Sequence, residues 1–432
     1  MKLEKPPFAE VNFEYLQNIW KGEYENFINK SDEKYYYWDD VKYKKETPFE
    51  TPIENWTLIK TYRFSKYENI EFGTYKFKYF IPSFVAKNLH DFDLKLMGGL
   101  QEKPIFPSDR IEFFKNSLLE EAVASSQVEG ASTTTAVARK MLKTGRTPRN
   151  ESEQMIFNNL KAIEYIGELQ DIDIDFKIII NLHKIMTANT EAENCSGDFR
   201  KKDVFVTDHI DGEIAHIPPD WTEVDSLIAE LCTFINNDTN FIHPIVKASI
   251  IHFMIGFIHP FSDGNGRTAR ALFYWFLLKK GYTLIRNISI SRVILESRNQ
   301  YDKAFLKTEY DENDLNYFIS YSMKNIRVAF EKLINYRDKK LEERKKANNI
   351  SYELLNKGLN KRQADLIGYL YFKNKDSKVT LTSYAEKHDI VRQTASKDLN
   401  ELIRMGIIKE DKTIKPYKYT LISRSNIEKL VE

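Results

Sequence analysis

Cysteine is almost missing: Cys195 and Cys232 are the only two in 432 residues. Two thiols in so long a chain form neither a disulfide framework nor a metal-ligand set, so a stapled secreted scaffold is excluded and a reducing cytoplasm is the expected location. An excess of charge is lacking too, since 64 Lys and Arg stand against 63 Asp and Glu, a formal charge of +1. No whole-chain field steers the molecule to nucleic acid or to an anionic membrane, so any nucleic-acid contact must be local. No apolar run approaches the roughly 18 to 20 residues that span a bilayer, and the opening MKLEKPPFAEVNFEY has no signal-peptide core. An unexported chain with no membrane partner is expected. The length is too great for one ordinary core and predicts roughly two to three domains.

What is present falls into segments. Residues 1–105 are rich in Tyr, Phe, Trp and Pro, and Tyr75 to Phe80 alternate as a half-buried strand. No chemistry attaches to this mixed region. From about Pro107 the period becomes helical, in IEFFKNSLLEEAVASSQVEG, MIFNNLKAIEYIGELQ and PIVKASIIHFMIGFI, which predicts a helical domain over 106–330. Within it VFVTDHIDGEIAHIPP reads as a β-hairpin around an Asp-Gly turn. The charged stretch YRDKKLEERKKANN, within 331–355, reads as a solvated helix end plus linker.

Residues 356–432 read as helix, turn, helix and β-hairpin, and resemble a winged-helix module. The resemblance directs Arg392, Gln393, Thr394, Ser396 and Lys397 of the second helix toward a duplex. Asp398, Glu401 and Glu410 dilute that charge, and the scaffold also serves protein contacts, so DNA and protein both stay open as partners. The expected fold class is mainly α: a helical core with a β-hairpin flap, a mixed N-terminal region and a C-terminal winged-helix-like domain.

The densest chemistry lies in His259-Pro260-Phe261-Ser262-Asp263-Gly264-Asn265-Gly266-Arg267-Thr268-Ala269-Arg270, a polar loop between two apolar helices. Pro260 ends the first helix, and Gly264 and Gly266 let successive N–H groups point at one place, at the positive end of the second helix. That is an anion cradle. Arg267 and Arg270, three apart on the second helix, suit the clamping of a polyphosphate. Asp263 offers a hard oxygen to Mg²⁺, whose shell the phosphates of a nucleotide would complete. His259 is the side chain here able to accept a proton near neutral pH.

This loop matches H-P-F-x-[DE]-G-N-G-R-x-x-R at every defined position and so resembles the Fic family, with the likeness extending over roughly residues 106–310. The resemblance implies AMP transfer from ATP to a Ser, Thr or Tyr hydroxyl of a protein target, itself included. It assigns His259 as base, Asp263 as Mg²⁺ ligand, Gly264, Asn265 and Gly266 to the phosphoryl oxygens, and Arg267 and Arg270 to the outer phosphates. Phe261 would seat the loop in the core. The hairpin would hold the target by strand addition through Val204, Phe205, Val206, Ile214, His216 and Ile217.

Upstream, Ser125 and Glu129 match the family's inhibitory pattern [ST]-x-x-x-E-[GN], which implies that Glu129 withdraws Arg270 from the γ-phosphate; Gly130 is equally accounted for as a helix C-cap. Near the nucleotide base the family shows S-x-Y-I-x-x-N-R-x-x-Y-Y. Here Ser291, Ile294, Arg298 and Tyr301 are kept, while Ser297 stands for the Asn as the nucleotide-side residue and Asp302 for the second Tyr. These departures bear on the adenine end rather than the phosphates. Family members often pair, which makes a homodimer an expectation. Removal of AMP, transfer of another phosphate-containing group, and a nucleotide-sensing DNA-binding regulator stay open as alternatives.

Overall fold

The computed structural model describes residues 3–97, 110–208, 212–372, 379–413 and 415–431 and is mainly helical. It resolves into two compact units, residues 1–331 and 332–432. The boundary expected near residue 105 lies outside the described residues.

The first unit begins with helices α1 (Phe13–Trp20), α2 (Glu25–Lys34), α3 (Trp38–Lys42) and α4 (Pro52–Phe64), the antiparallel pair β1 (Glu68–Phe72) and β2 (Tyr75–Tyr79), and α5 (Ser83–Leu96). Its aromatic residues form a local core around Tyr37, Trp38, Trp56 and Ile59, to which Tyr317 from much later in the chain also belongs. Buried polar groups stitch this region to residues 311–316. Lys60 Nζ donates to Asp311 at 2.6 Å, and the hydroxyls of Tyr35 and Tyr67 each donate to Asp314 Oδ2 at 2.6 Å. The Arg63 guanidinium lies 3.7 Å from the centre of the Tyr35 ring.

The helical body follows as α6 (Arg110–Val128), α7 (Thr135–Thr144), α8 (Glu151–Glu168), α9 (Phe176–Thr187), β3 (Val206–Thr207), β4 (Ile214–His216), α10 (Val224–Asn236), α11 (Pro244–Ile258), α12 (Asn265–Lys279), α13 (Ile290–Glu296), α14 (Arg298–Tyr310) and α15 (Asn316–Asn356). Helix α11 is apolar almost all round because it is buried almost all round, packed on α10 and α12. His243 caps it and Pro244 occupies its first turn, where a missing N–H costs nothing. Two buried helices joined by a short loop hold that loop rigidly, and β3 and β4 pair antiparallel beside it as the predicted hairpin, whose residues 209–211 lie outside the described residues.

The second unit takes the end of α15, then α16 (Lys361–Phe372), β5 (Val379–Thr380), α17 (Leu381–Lys387), α18 (Arg392–Arg404), β6 (Ile408–Asp411), β7 (Lys418–Leu421) and α19 (Arg424–Val431), with sheet order β5-β7-β6. The charged stretch read as a helix end plus linker is helical throughout. Leu366, Ile367, Tyr384, Leu399 and Leu402 build a separate core. Asp398 is buried and accepts from Arg362 at 2.8 Å and Asn360 at 3.0 Å, so it faces inward from α18, whereas Arg392, Gln393 and Lys397 are exposed. No described helix is long and apolar enough to cross a membrane.

Candidate active site

His259 ends α11 in a left-handed conformation, φ +50°, and the chain turns at once through Pro260. Phe261 is fully buried, and its backbone N–H and C=O are both bonded by the Asn265 side chain at 2.9 and 2.8 Å. The Asn265 amide therefore closes the loop on itself, leaving its backbone N–H as the group it offers a ligand. Gly264, at φ +83°, opens α12, and the first bond inside that helix runs from Thr268 N–H to Gly264 O at 3.0 Å. The N–H groups of Asn265, Gly266 and Arg267 precede it, at the positive end of a fifteen-residue helix.

His183 of α9, which the sequence did not single out, supports this loop from beneath. Its ring stacks on Phe261 with centroids 3.7 Å apart and planes 2° from parallel, and its Nε2–H donates to Asp263 O at 2.8 Å. Burial holds its pKa below the ordinary range, and its Nδ1 is buried with no hydrogen-bond partner. A Cβ on Gly264 would press to 3.3 Å against this ring.

Arg200 is a second support that sequence reading missed. It is 4% exposed, its Nε donates to His259 O at 2.9 Å, and its backbone N–H donates to Pro260 O at 2.8 Å. Its remaining nitrogens reach the carbonyls of Lys202 and Pro219, on either side of the hairpin. One guanidinium thus joins the end of α11 to both feet of the flap. Beside Lys201 and Lys202, nothing in the local pattern sets Arg200 apart.

Burial pushes the His259 imidazole down to about 4, while its bond to the Gly256 carbonyl works the other way. At neutral pH the ring is uncharged, Nδ1–H donates to Gly256 O at 3.3 Å, and Nε2 carries the basic lone pair.

Both arginines of the loop are buried. Arg267 donates to Met186 O at 3.1 Å and to Asp263 Oδ2 at 3.0 Å. Arg270 is held entirely by the end of α6: Nε donates to Ser125 Oγ at 2.9 Å, Nη2 to Ser125 O at 2.9 Å, and Nη1 to Glu129 Oε1 at 3.0 Å. Burial alone would raise Glu129, but Arg270, and behind it Arg267 and Arg298, hold the carboxyl below its usual range. The carboxylate lies so close to the cradle that a Cβ on Gly266 would fall 2.3 Å from Oε1. Gly130, at φ +93°, ends α6 as a C-cap, with Ala131 N–H reaching back to Ser126 O at 3.0 Å. The cap and the carboxylate contact coexist, because the helix ends where Glu129 meets Arg270.

Asp263 has a side chain 58% exposed at the mouth of the cradle. Among the described residues no cluster of three or more His, Cys, Asp or Glu could cage a metal. A lone exposed carboxylate fits Mg²⁺ that draws the rest of its shell from phosphates and water.

Two predicted residues bond groups outside the 259–270 loop. Ser297 donates to Val293 O at 2.7 Å and contacts Tyr321 OH at 3.1 Å. His216 is buried, with ring nitrogens 2.8 Å from Glu309 Oε2 and 2.8 Å from Phe257 O. The rest of the hairpin is open: Phe205, Ile214 and Ile217 are exposed, and Val204 and Val206 are half-buried. Ser291, at the start of the base-side pattern, is fully buried and bonds Glu121 of α6.

Residues 173–277 match the Fic/DOC family, so the loop lies in a Fic domain. Ser125, Glu129 and Ser297 fall outside the matched residues. A protein adenylyltransferase Fic from Drosophila yakuba is 28% identical over 213 residues, which is 48% of this chain and 40% of that protein. One from Drosophila melanogaster is 30% identical over 174 residues, 39% of this chain and 34% of that protein. The chain therefore spans less than half the length of these relatives. A Fic family protein from Desulfovibrio desulfuricans shares the fold with TM-score 0.52 at 16% identity, over 78% of this chain and 94% of that one. Fic-1 from C. elegans does so with TM-score 0.52 at 18% identity, over 77% and 90%.

Proposed function

We propose that the chain is a protein adenylyltransferase that moves AMP from ATP onto a target hydroxyl and is restrained by its own Glu129. The observation that carries this reading is the neutral His259 imidazole standing one short turn from the open N–H groups of α12. A base and an anion cradle so joined suit attack by a hydroxyl on a phosphate. The name shared by the Drosophila relatives supports it.

In this mechanism Nε2 of His259 takes the proton of a Ser, Thr or Tyr hydroxyl as its oxygen attacks the α-phosphorus of ATP. The bond to the bridging oxygen breaks and pyrophosphate leaves. The N–H groups of Asn265, Gly266 and Arg267 stabilise charge on the phosphoryl oxygens, where preorganised donors act most strongly. Asp263 would hold Mg²⁺, which supplies neutralising charge to the phosphates. Arg267 and Arg270 serve the outer phosphates. Arg270 can do so only after leaving Ser125 and Glu129, and that exchange is the restraint.

The exposed Phe205, Ile214 and Ile217 present an edge to which an extended target segment can add, while the buried His216 pins the hairpin. In the second unit, the order helix, strand, helix, helix and two strands supports the winged-helix reading, with Arg392, Gln393 and Lys397 on its exposed helix.

The test is transfer of α-labelled ATP, with Mg²⁺, to the protein itself and to a cell lysate. Label should rise at least tenfold in Glu129→Gly and vanish in Glu129→Gly with His259→Ala. No gain in Glu129→Gly while nucleotide still binds overturns the restraint, and no label in any form overturns the transfer.

A further inference from the structure

Outside the loop, the charges of the first unit are unevenly placed. A cavity of about 760 Å³ is walled by α2, α5, α14 and α15. It shares no residue with the 259–270 loop. Its walls carry six cations: Lys34, Lys87, Lys303, Lys307, Lys324 and Arg327. Against them stand two acids, Glu33 and Asp91, and Asp91 also lies 4.0 Å from Lys95. Lys307 has Asp40 at 3.6 Å, but among the described residues no carboxylate lies within ion-pair distance of the other five.

Lys34, Lys87, Lys324 and Arg327 are exposed and keep their hydration, so the crowding of charge falls on the two half-buried lysines. Lys303 and Lys307 sit one turn apart on α14, both half-buried, where like charges repel. Burial lowers the pKa of Lys307 and the neighbouring Lys303 adds to that effect, with Asp40 and Asp39 opposing both. A second observation concerns the same wall. The Ser320 hydroxyl, which lines the cavity from α15, is buried and has no hydrogen-bond partner. A helical serine ordinarily bonds a carbonyl one turn back, and this one leaves a buried donor unused at the cavity wall. The side-chain amides of Asn88 and Gln300 line the same walls.

We propose that this cavity is a second anion site, which binds a small molecule carrying two or more phosphates. Its volume lies within the range of about 300 to 1,000 Å³ typical of small-molecule sites. Walls from four helices make a recess open on one side rather than a broad surface, which favours a small ligand over a nucleic-acid duplex. Ammonium groups spread around the walls suit several phosphates in a chain, as in an inorganic oligophosphate or the diphosphate end of a nucleotide, and the two sources share that chemistry.

The experiment is calorimetric titration of the full chain with inorganic tripolyphosphate and, separately, with ADP, comparing wild type with Lys303→Gln/Lys324→Gln/Arg327→Gln. Wild type should show a tripolyphosphate site that weakens at least tenfold in the triple variant and weakens further with added salt. Because the 259–270 loop is itself proposed to take nucleotide phosphates, the cavity's share is the binding that the triple variant removes: removal of part of the ADP isotherm as well would mark a nucleotide as ligand, and removal of tripolyphosphate binding alone would mark the inorganic chain. Lys324 is exposed, so the single change Lys324→Gln keeps the fold and should weaken binding severalfold even if the triple variant unfolds. An isotherm unchanged in both variants overturns the proposal. Failure here leaves adenylyl transfer untouched, and labelling by α-labelled ATP in the triple variant should match the parent.

Discussion

At the scale of single residues, the site depends on which protons and hydrogen bonds each side chain can hold. His259 is neutral above about 4, so its basic form is already complete at pH 5. In Glu129→Gly, transfer at low ATP should stay level from pH 8 down to about 5 and fall only as the imidazole protonates below that. A rate profile with its acid limb centred near 6.5 would show that burial does not set this proton's affinity. His183 has a different part, orienting the loop through Asp263 O while leaving its own Nδ1 unsatisfied. His183→Phe keeps the stack on Phe261 and removes both the useful bond and the buried orphan. The variant should melt no lower than the parent yet transfer AMP several-fold more slowly, since one lost hydrogen bond is worth about 1 kcal/mol.

At the scale of elements, the proposed restraint depends on how α6 is moored. Glu121 accepts from Tyr274 OH at 2.9 Å and Ser289 Oγ at 2.8 Å, and Arg292 grips Glu120 at 2.5 Å. Arg298, the first residue of α14, donates to Val128 O immediately before Glu129. Removing that clamp in Arg298→Ala should let the end of α6 fray and raise self-labelling above wild type, though less than Glu129→Gly does. Equal labelling in Arg298→Ala and wild type would show that the Ser125 and Glu129 contacts suffice alone. The flap shows how one element can mislead a sequence reading. Ile214 and His216 are two apart and belong on one face of a regular strand, but the register shifts between Val206 and Thr207. This irregularity accompanies opposite exposures: Ile214 is 55% exposed and His216 8%.

At the scale of the whole molecule, the loop and every residue bonded to it belong to the first unit, residues 1–331. Deleting residues 357–432 leaves α15 whole and removes α16 to α19. Transfer by the Glu129→Gly protein should survive that deletion within about twofold in the α-labelled ATP assay. Loss of activity with retained helicity would assign the second unit a part in the reaction. The N-terminal region, to which the sequence attached no chemistry, is joined through Lys60, Tyr35 and Tyr67 to Asp311 and Asp314, and it supplies two walls of the cationic cavity.

The sequence by itself determined the loop, because an anion cradle needs contiguous residues: a proline to stop one helix, glycines to aim N–H groups and arginines one turn into the next helix. It also determined the helical period on either side, the hairpin and the Ser125 to Gly130 signature, since each is written in residues a few positions apart. Tertiary structure alone decided which arginine is held by Glu129 and which by Asp263, that Asn265 closes its loop, and that His183 and Arg200 carry that loop. Asp263 and Arg267, like Phe261 and Asn265, stand four apart, but the contacts of His183, Arg200 and Arg270 join residues some 60 to 145 positions apart. No local pattern encodes them, because a single buried His or Arg acquires its partner only when distant helices pack around it.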